Sequence, residues 1–103
     1  MSQPVYKVWM AKYTEAWYQL TPEEKQAHTN GVNEALKKVG GESVLFCIIP
    51  GMQPWAGWGV EKFPDLDALQ KHTMLLFDID HQRFSESKEY IGTEIPREYN
   101  FLE

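Results

Sequence analysis

Two segments of this chain, Val5–Tyr13 (VYKVWMAKY) and Glu42–Ile49 (ESVLFCII), have the β-branched and aromatic content of strands, and both are apolar on each of their alternating faces. In the first, Val5, Trp9, Ala11 and Tyr13 (with Lys7) oppose Tyr6, Val8 and Met10 (with Lys12). In the second, Val44, Phe46 and Ile48 oppose Leu45, Cys47 and Ile49. An antiparallel sheet with one face in water alternates cleanly between apolar and polar residues. These strands do not alternate, so both faces of their sheet need cover. A chain of 103 residues has little left to supply it.

The remaining segments are legible from local signals. Thr21-Pro22-Glu23-Glu24 opens a helix, with Thr21 as N-cap, Pro22 at the first helical position and Glu24 closing a capping box. The apolar stripe of that helix runs Ala27/His28, Val32, Ala35/Leu36 and Val39. Gly40-Gly41 ends it, since glycine takes the left-handed C-terminal conformation without steric penalty. A turn over Pro50–Pro54 leads to a third strand, Trp55–Phe63, with Trp58 and Val60 on one face. Trp55, Gly57 and Gly59 share the other face, where the glycines permit close approach of another group. Asp65 caps a second helix with Leu66, Leu69, Thr73 and Leu76 along its inner stripe, and a further helical turn covers Ile79–Phe84. Lys88–Ile95 is the fourth strand, and Pro96–Glu103 is a tail carrying Tyr99, Phe101 and Leu102. The order is βαββαβ in a single domain over residues 1–103. Two helices cover one face of a four-stranded antiparallel sheet. The other face predicts a second copy of the chain, a closed homodimer with two-fold symmetry.

Composition removes several classes of function. Hydrophobic residues make up 43% and charged residues 24%, which excludes disorder. The net charge is −5 and the ten basic residues are scattered, so no nucleic-acid partner is expected. No apolar run is long enough to span a bilayer, and Met1-Ser-Gln-Pro leads into no apolar leader segment, so the expected compartment is the cytoplasm, away from membranes. The lone Cys47 excludes an internal disulfide, and its apolar strand predicts an inert thiol. No Cys/His spacing suits a metal. Gly57-Trp58-Gly59 lies within a strand and opens no helix, so it is no phosphate loop, and no serine occupies a nucleophile elbow.

Residues that could carry chemistry remain. His28 falls on the stripe of the first helix, and His72 lies three residues after Leu69 on the inner face of the second. Imidazole is the side chain best matched to proton transfer near neutral pH, which makes both candidate acid/base groups. The structural alternative is a buried neutral ring satisfied by a backbone carbonyl. Trp9, Tyr13, Trp17, Trp55 and Trp58 could line a pocket for a flat apolar ligand, or serve as core and dimer contacts. The Tyr6 or Tyr13 hydroxyl could orient a substrate oxygen. Glu61, mid-strand among apolar neighbours, is either a base or an edge residue facing water. His81, after Asp78 and Asp80, reads as a charge-paired surface residue, and Arg83 as a salt-bridge partner of Asp80 or Glu86.

The βαββαβ order with a self-pairing sheet resembles the dimeric α+β barrel superfamily of ferredoxin-like folds, over nearly the whole stretch from Val5 to Ile95. More closely, Lys12–His28 (KYTEAWYQLTPEEKQAH), Gly57–His72 (GWGVEKFPDLDALQKH) and Tyr90–Glu94 (YIGTE) look like a group of small uncharacterised bacterial proteins in that superfamily. The resemblance implies an α+β fold with a cavity between sheet and helices. Members include cofactor-free monooxygenases, polyketide cyclases, lactone isomerases and haem proteins, and fold alone selects none of them. The Asn, Trp and His set of the haem-degrading members finds no match, because strand one contains no Asn, so no cofactor is expected. Two functional readings result. One is a cofactor-free isomerase, cyclase or monooxygenase acting by proton transfer on a hydrophobic or aromatic carbonyl compound. The other is a non-catalytic ligand-binding or accessory protein on the same scaffold.

Overall fold

The computed structural model describes residues 3–51 and 54–99. Strand β1 (Val5–Tyr13) has the bounds its composition predicts, and a short helix α1 (Glu15–Tyr18) interrupts the connector after it. Helix α2 (Pro22–Lys38) begins at the predicted capping box: Thr21 Oγ1 accepts from the Glu24 amide at 3.1 Å, and Glu24 Oε1 accepts from the Thr21 amide at 2.9 Å. It ends at Gly40, whose φ of 74° is left-handed. Strands β2 (Glu42–Ile48) and β3 (Gly57–Phe63) follow. Helix α3 (Leu66–Asp78) starts where Asp65 Oδ1 accepts from the Ala68 amide at 2.8 Å. A single turn α4 (His81–Phe84) and strand β4 (Ser85–Gly92) complete the unit, with a 3-10 turn at Arg97–Tyr99. No helix among the described residues is long and apolar enough to cross a membrane.

The sheet is antiparallel in the order β2-β3-β1-β4, the ferredoxin-like α+β arrangement. Several details differ from expectation: β2 ends at Ile48 and not Ile49, and β4 ends at Gly92 and not Ile95. Strand β4 begins three residues early, at Ser85, because the polar run Ser85–Lys88 pairs with Tyr13–Met10, and partner hydrogen bonds outweigh weak intrinsic propensity. Strand β3 starts at Gly57 and not Trp55. On α3 the inner stripe is Ala68, Leu69 and His72, whereas Leu66 lies exposed.

The register sorts side chains between two faces. Val5, Lys7 and Phe63 face the helices, where Val5, Phe63, Ala68 and Leu69 form the buried core with Leu36 and Val39 against it. Phe63 has no exposed surface, so its burial stabilises by roughly 3 kcal/mol. The opposite face carries Val8, Met10, Leu45, Cys47, Trp58, Val60 and Tyr90, of which Val8, Leu45 and Tyr90 are exposed. The edge strand β2 bulges at Val44 and extends past the helices, leaving Phe46 66% and Ile48 81% exposed. Tyr99 is exposed, and Phe101 and Leu102 lie outside the described residues.

The glycines of β3 admit rings, as their pattern predicts. A Cβ at Gly59 would stand 2.7 Å from the Leu45 carbonyl oxygen and 2.7 Å from the Trp9 indole, and one at Gly57 would meet the Phe46 ring at 3.3 Å. Trp9 and Phe46 therefore lie across β3, their rings edge to face at 5.1 Å. Gly59→Ala should destabilise by about 1–3 kcal/mol in denaturant unfolding, through overpacking against backbone as well as ring. Gly92→Ala, with nothing within 4 Å of the new methyl, is the control and should stay within about 0.5 kcal/mol. Equal effects would mean that Trp9 does not occupy this position.

Candidate active site

The least expected group beneath the helices is an ammonium. Lys7 is 4% exposed, and its Nζ lies 3.2 Å from Glu61 Oε1, 3.2 Å from Glu89 Oε2 and 3.4 Å from His72 Nδ1. Glu61 is directly opposite Lys7 on β3, while Glu89 is diagonal to it on β4, two residues before Ile91. The three N–H bonds of the ammonium thus have acceptors on β3, β4 and α3. An ammonium only donates, so His72 accepts at Nδ1 and carries its hydrogen on Nε2. That Nε2–H is buried and has no hydrogen-bond partner among the described residues. Burial, with help from the Lys7 and His81 charges, pushes the His72 imidazole down to about 4. Burial also raises the Glu61 carboxyl above its ordinary range, outweighing the pull of Lys7, and the negative charge of Glu89 adds to the rise.

A second polar group adjoins the first. His28 on α2 and His81 on α4 share a hydrogen bond, Nε2 to Nδ1, of 2.9 Å. Both are half-buried. His28 meets Trp17 at 5.9 Å and Phe84 at 4.9 Å between ring centroids, and Trp17 stacks on Tyr13 at 4.3 Å. Burial lowers the His28 imidazole, with Asp80 opposing, and pushes His81 down to about 4. The charges of Lys7, His28 and Glu89 also act on His81, and His81 acts on His72. All three histidines of the chain therefore converge beneath the helices, one from each of α2, α3 and α4.

Sequence reasoning located His28 and His72 but misplaced His81, which is a member of the cluster and not a surface residue. Asp80 takes a left-handed φ of 60°, turning the chain so that α4 folds His81 back toward His28. The expected surface pair of Asp80 and Arg83 is present at 3.6 Å. Glu61 is no water-facing edge residue, and Glu89 was missed. The five aromatics do not form one wall. Tyr13 and Trp17 border His28, and Trp9 lies on β3 with Phe46. Trp55 packs under Lys12 at 5.4 Å, and Trp58 is on the opposite face of the sheet, across from Met10 and Cys47. Tyr6 is also on that face, its hydroxyl donating to Glu94 at 2.9 Å. No three His, Cys, Asp or Glu among the described residues are arranged to hold a metal ion.

No protein-family model and no curated protein matches the chain. Solved structures share its fold at low identity. The RPA0582 protein of Rhodopseudomonas palustris, of unknown function, superposes with a TM-score of 0.67 at 12% identity, over 93% of this chain and 85% of that one. SnoaB of Streptomyces nogalater, a cofactor-independent oxygenase, gives 0.55 at 12% identity over 92% and 96%. MupZ of Pseudomonas fluorescens gives 0.56 at 15% identity over 95% and 72%. These likenesses show the fold alone and leave activity to the site.

The depressed histidines set the acid stability. Above about pH 6.5 the rings are neutral both folded and unfolded and contribute no pH dependence. Below it the unfolded chain takes up protons that the folded His72 and His81 refuse until about pH 4, so stability falls through that window. Glu61, whose carboxyl is raised, acts with the opposite sign and offsets part of the loss. His72 alone accounts for on the order of 3 kcal/mol. The melting temperature should drop between pH 7 and pH 5, and His72→Gln should shrink the drop. A flat profile over that window would show the rings to be solvated.

Proposed function

We propose that this protein is a cofactor-free enzyme of the isomerase, cyclase or monooxygenase type, transferring protons on a hydrophobic or aromatic carbonyl compound. The observation that carries this reading is the His72 Nε2–H, a buried donor without an acceptor, next to a buried ammonium and a carboxyl of raised proton affinity. In the first step Glu61, through the oxygen not held by Lys7, takes the proton from the carbon beside the substrate carbonyl. The C–H electron pair becomes the C=C bond of an enolate, whose oxygen accepts from His72 Nε2–H. Return of the proton to a different carbon is an isomerisation. The same enolate is the nucleophile of a cyclisation, or the electron-rich carbon that dioxygen attacks. A carboxyl raised toward neutrality suits the base, since a proton acceptor works best with a pKa near the working pH. Tyr13 and His28 form the solvent-facing border with the buried Trp17 between them, and Trp9 and Phe46 lie on the adjoining strands.

The non-catalytic reading has an observation of its own. His72 is packed to 2% exposure, and the two most pronounced surface grooves lie outside the cluster, between α2 and α3, lined by residues such as Lys38, Ala68, Leu75 and Ile79. NMR of the imidazoles separates the two. Aromatic carbonyl compounds should shift the His72 and His28 ring resonances, and His72→Gln should abolish the response with little loss of stability. Rings unmoved by every compound, with His72→Gln costing about 1–2 kcal/mol, would establish packing residues and favour the accessory protein.

The working form in this proposal is a cytoplasmic homodimer. The face bearing Val8, Met10, Leu45, Trp58, Val60 and Tyr90 is apolar at its centre and rimmed by Lys12, Lys62 and Glu86, the layout of an interface core with a polar rim. Light scattering should give twice the monomer mass, and Val8→Asp should halve it. A monomeric parent chain would remove the dimer and leave the histidine cluster unaffected.

A further inference from the structure

Of the three acceptors around Lys7, one can be exchanged for an oxygen from outside the chain. The Glu61 side chain is 16% exposed and His72 is packed into the inner face of α3, whereas the Glu89 side chain is 41% exposed on the edge strand β4. Besides its 3.2 Å contact with Lys7, the Glu89 carboxylate has one other side-chain partner among the described residues, the Ser87 hydroxyl at a long 3.5 Å. Glu89 is therefore free to turn into water, where a carboxylate is fully solvated. Lys7 is buried and cannot follow it. A buried ammonium that loses one acceptor must be given another, and the place left by Glu89 Oε2 already fits a carboxylate oxygen.

The surroundings of Glu89 define the rest of the ligand. Glu89 stands opposite Trp9 in the β1–β4 register, on the same face of the sheet. The Trp9 indole leans away from β4, over Gly59, and meets the exposed Phe46 edge to face. An apolar strip thus runs from the exchangeable carboxylate across the sheet to its other edge. Charge selects what binds at the near end. Replacing one carboxylate by another keeps the balance around the ammonium, whereas a neutral carbonyl oxygen is a weaker acceptor.

We propose that this site takes an aromatic carboxylate, whose carboxylate replaces Glu89 at Lys7 and whose ring lies along Trp9. Glu89 is then an internal occupant that keeps the ammonium paired until the ligand arrives. Joined to the enzymatic reading, on which this last step rests, the site assigns the substrate class: an aryl keto acid. The same ammonium then holds Glu61 Oε1 at 3.2 Å and the ligand carboxylate, which draws the base and the carbon beside that carboxylate to one centre. The exchange of carboxylates itself stands without that reading and can be measured without turnover.

Benzoate, its neutral analogue benzamide, and benzoylacetate test the exchange on the full chain. In carbon-13 NMR of the side-chain carboxyls, the Glu89 signal should move toward that of a solvated glutamate as benzoate is added, and the Glu61 signal far less. Glu89→Gln should tighten benzoate at least about fivefold, since an amide competes for an ammonium less well than a carboxylate, and should change benzamide by less than about twofold. A Glu89 signal unmoved by benzoate in the parent chain overturns the proposal even if the variant fails to fold. A folded Glu89→Gln chain that binds benzoate no more tightly overturns it too. Acetophenone shifting the His72 ring while benzoate leaves Glu89 in place would sink the carboxylate ligand and leave the enzymatic reading standing. Displacement of Glu89 by benzoate and benzoylacetate, with the benzoylacetate methylene exchanging deuterium no faster than in buffer, would keep the carboxylate site and remove the enzyme.

Discussion

The placement of α3 over the sheet depends on one buried ammonium. Removing a charge from water is tolerable only when its hydrogen bonds are replaced, and losing one partner of a buried pair typically costs 3–5 kcal/mol. Lys7 has three N–H bonds and three acceptors, one each from β3, β4 and α3. The ammonium therefore ties the helix to two strands that also flank β1. Its stem runs past Phe63, with Nζ 5.6 Å from the ring centroid, so the polar centre and the apolar core share a wall. Moving α3 by an ångström would strand the ammonium and the Phe63–His72 contact, 5.1 Å between centroids, together.

How much of this was readable depended on whether the signal was local. Thr21, Glu24 and Asp65 declare helix starts within four residues, and each makes the predicted cap. His72 was legible because helical spacing from Leu69 places it on the inner face. Lys7 was not, since a lysine among apolar residues is indistinguishable from an edge charge until its neighbours are known. Glu61 and Glu89 are 54 and 82 residues away along the chain, and only the register brings them to Lys7. His81 was hidden by a single left-handed residue, Asp80, whose neighbours spell an ordinary acidic turn. Strand β4 was displaced in the reading because Ser85–Lys88 owes its conformation to β1 and not to its own side chains.

The aromatics teach a narrower lesson. Alternation on β3 already separates Trp58 from Trp55, Gly57 and Gly59, so parity alone argues against one wall containing both tryptophans. Observed pairing agrees: Gly59 opposes Trp9 and Phe46 in register, whereas Trp58 opposes Met10 and Cys47. Strands apolar on both sides then serve two unlike purposes. One side supports rings that need glycine beneath them, and the other presents a broad apolar surface on which Val8, Leu45 and Tyr90 stand exposed.

The polar centre is hard to explain by stability alone. The fully buried apolar cluster is small, and a sequence selected only for stability would extend it with apolar residues where Lys7, Glu61 and His72 stand, a replacement that is often neutral or favourable. Given the ammonium, its donors are all satisfied, and the deficit has been moved to one atom. That atom is His72 Nε2, because Nδ1 is occupied by Lys7 and the ring cannot turn to serve both sides. An orphaned buried donor costs about 1–3 kcal/mol, a large share of the net stability of a chain this size. An acceptor oxygen placed there would recover it. In the proposed enzymatic reading, the deficit would favour a ligand bearing such an oxygen, more so as negative charge grows on it, which is the property required of a group that stabilises an enolate.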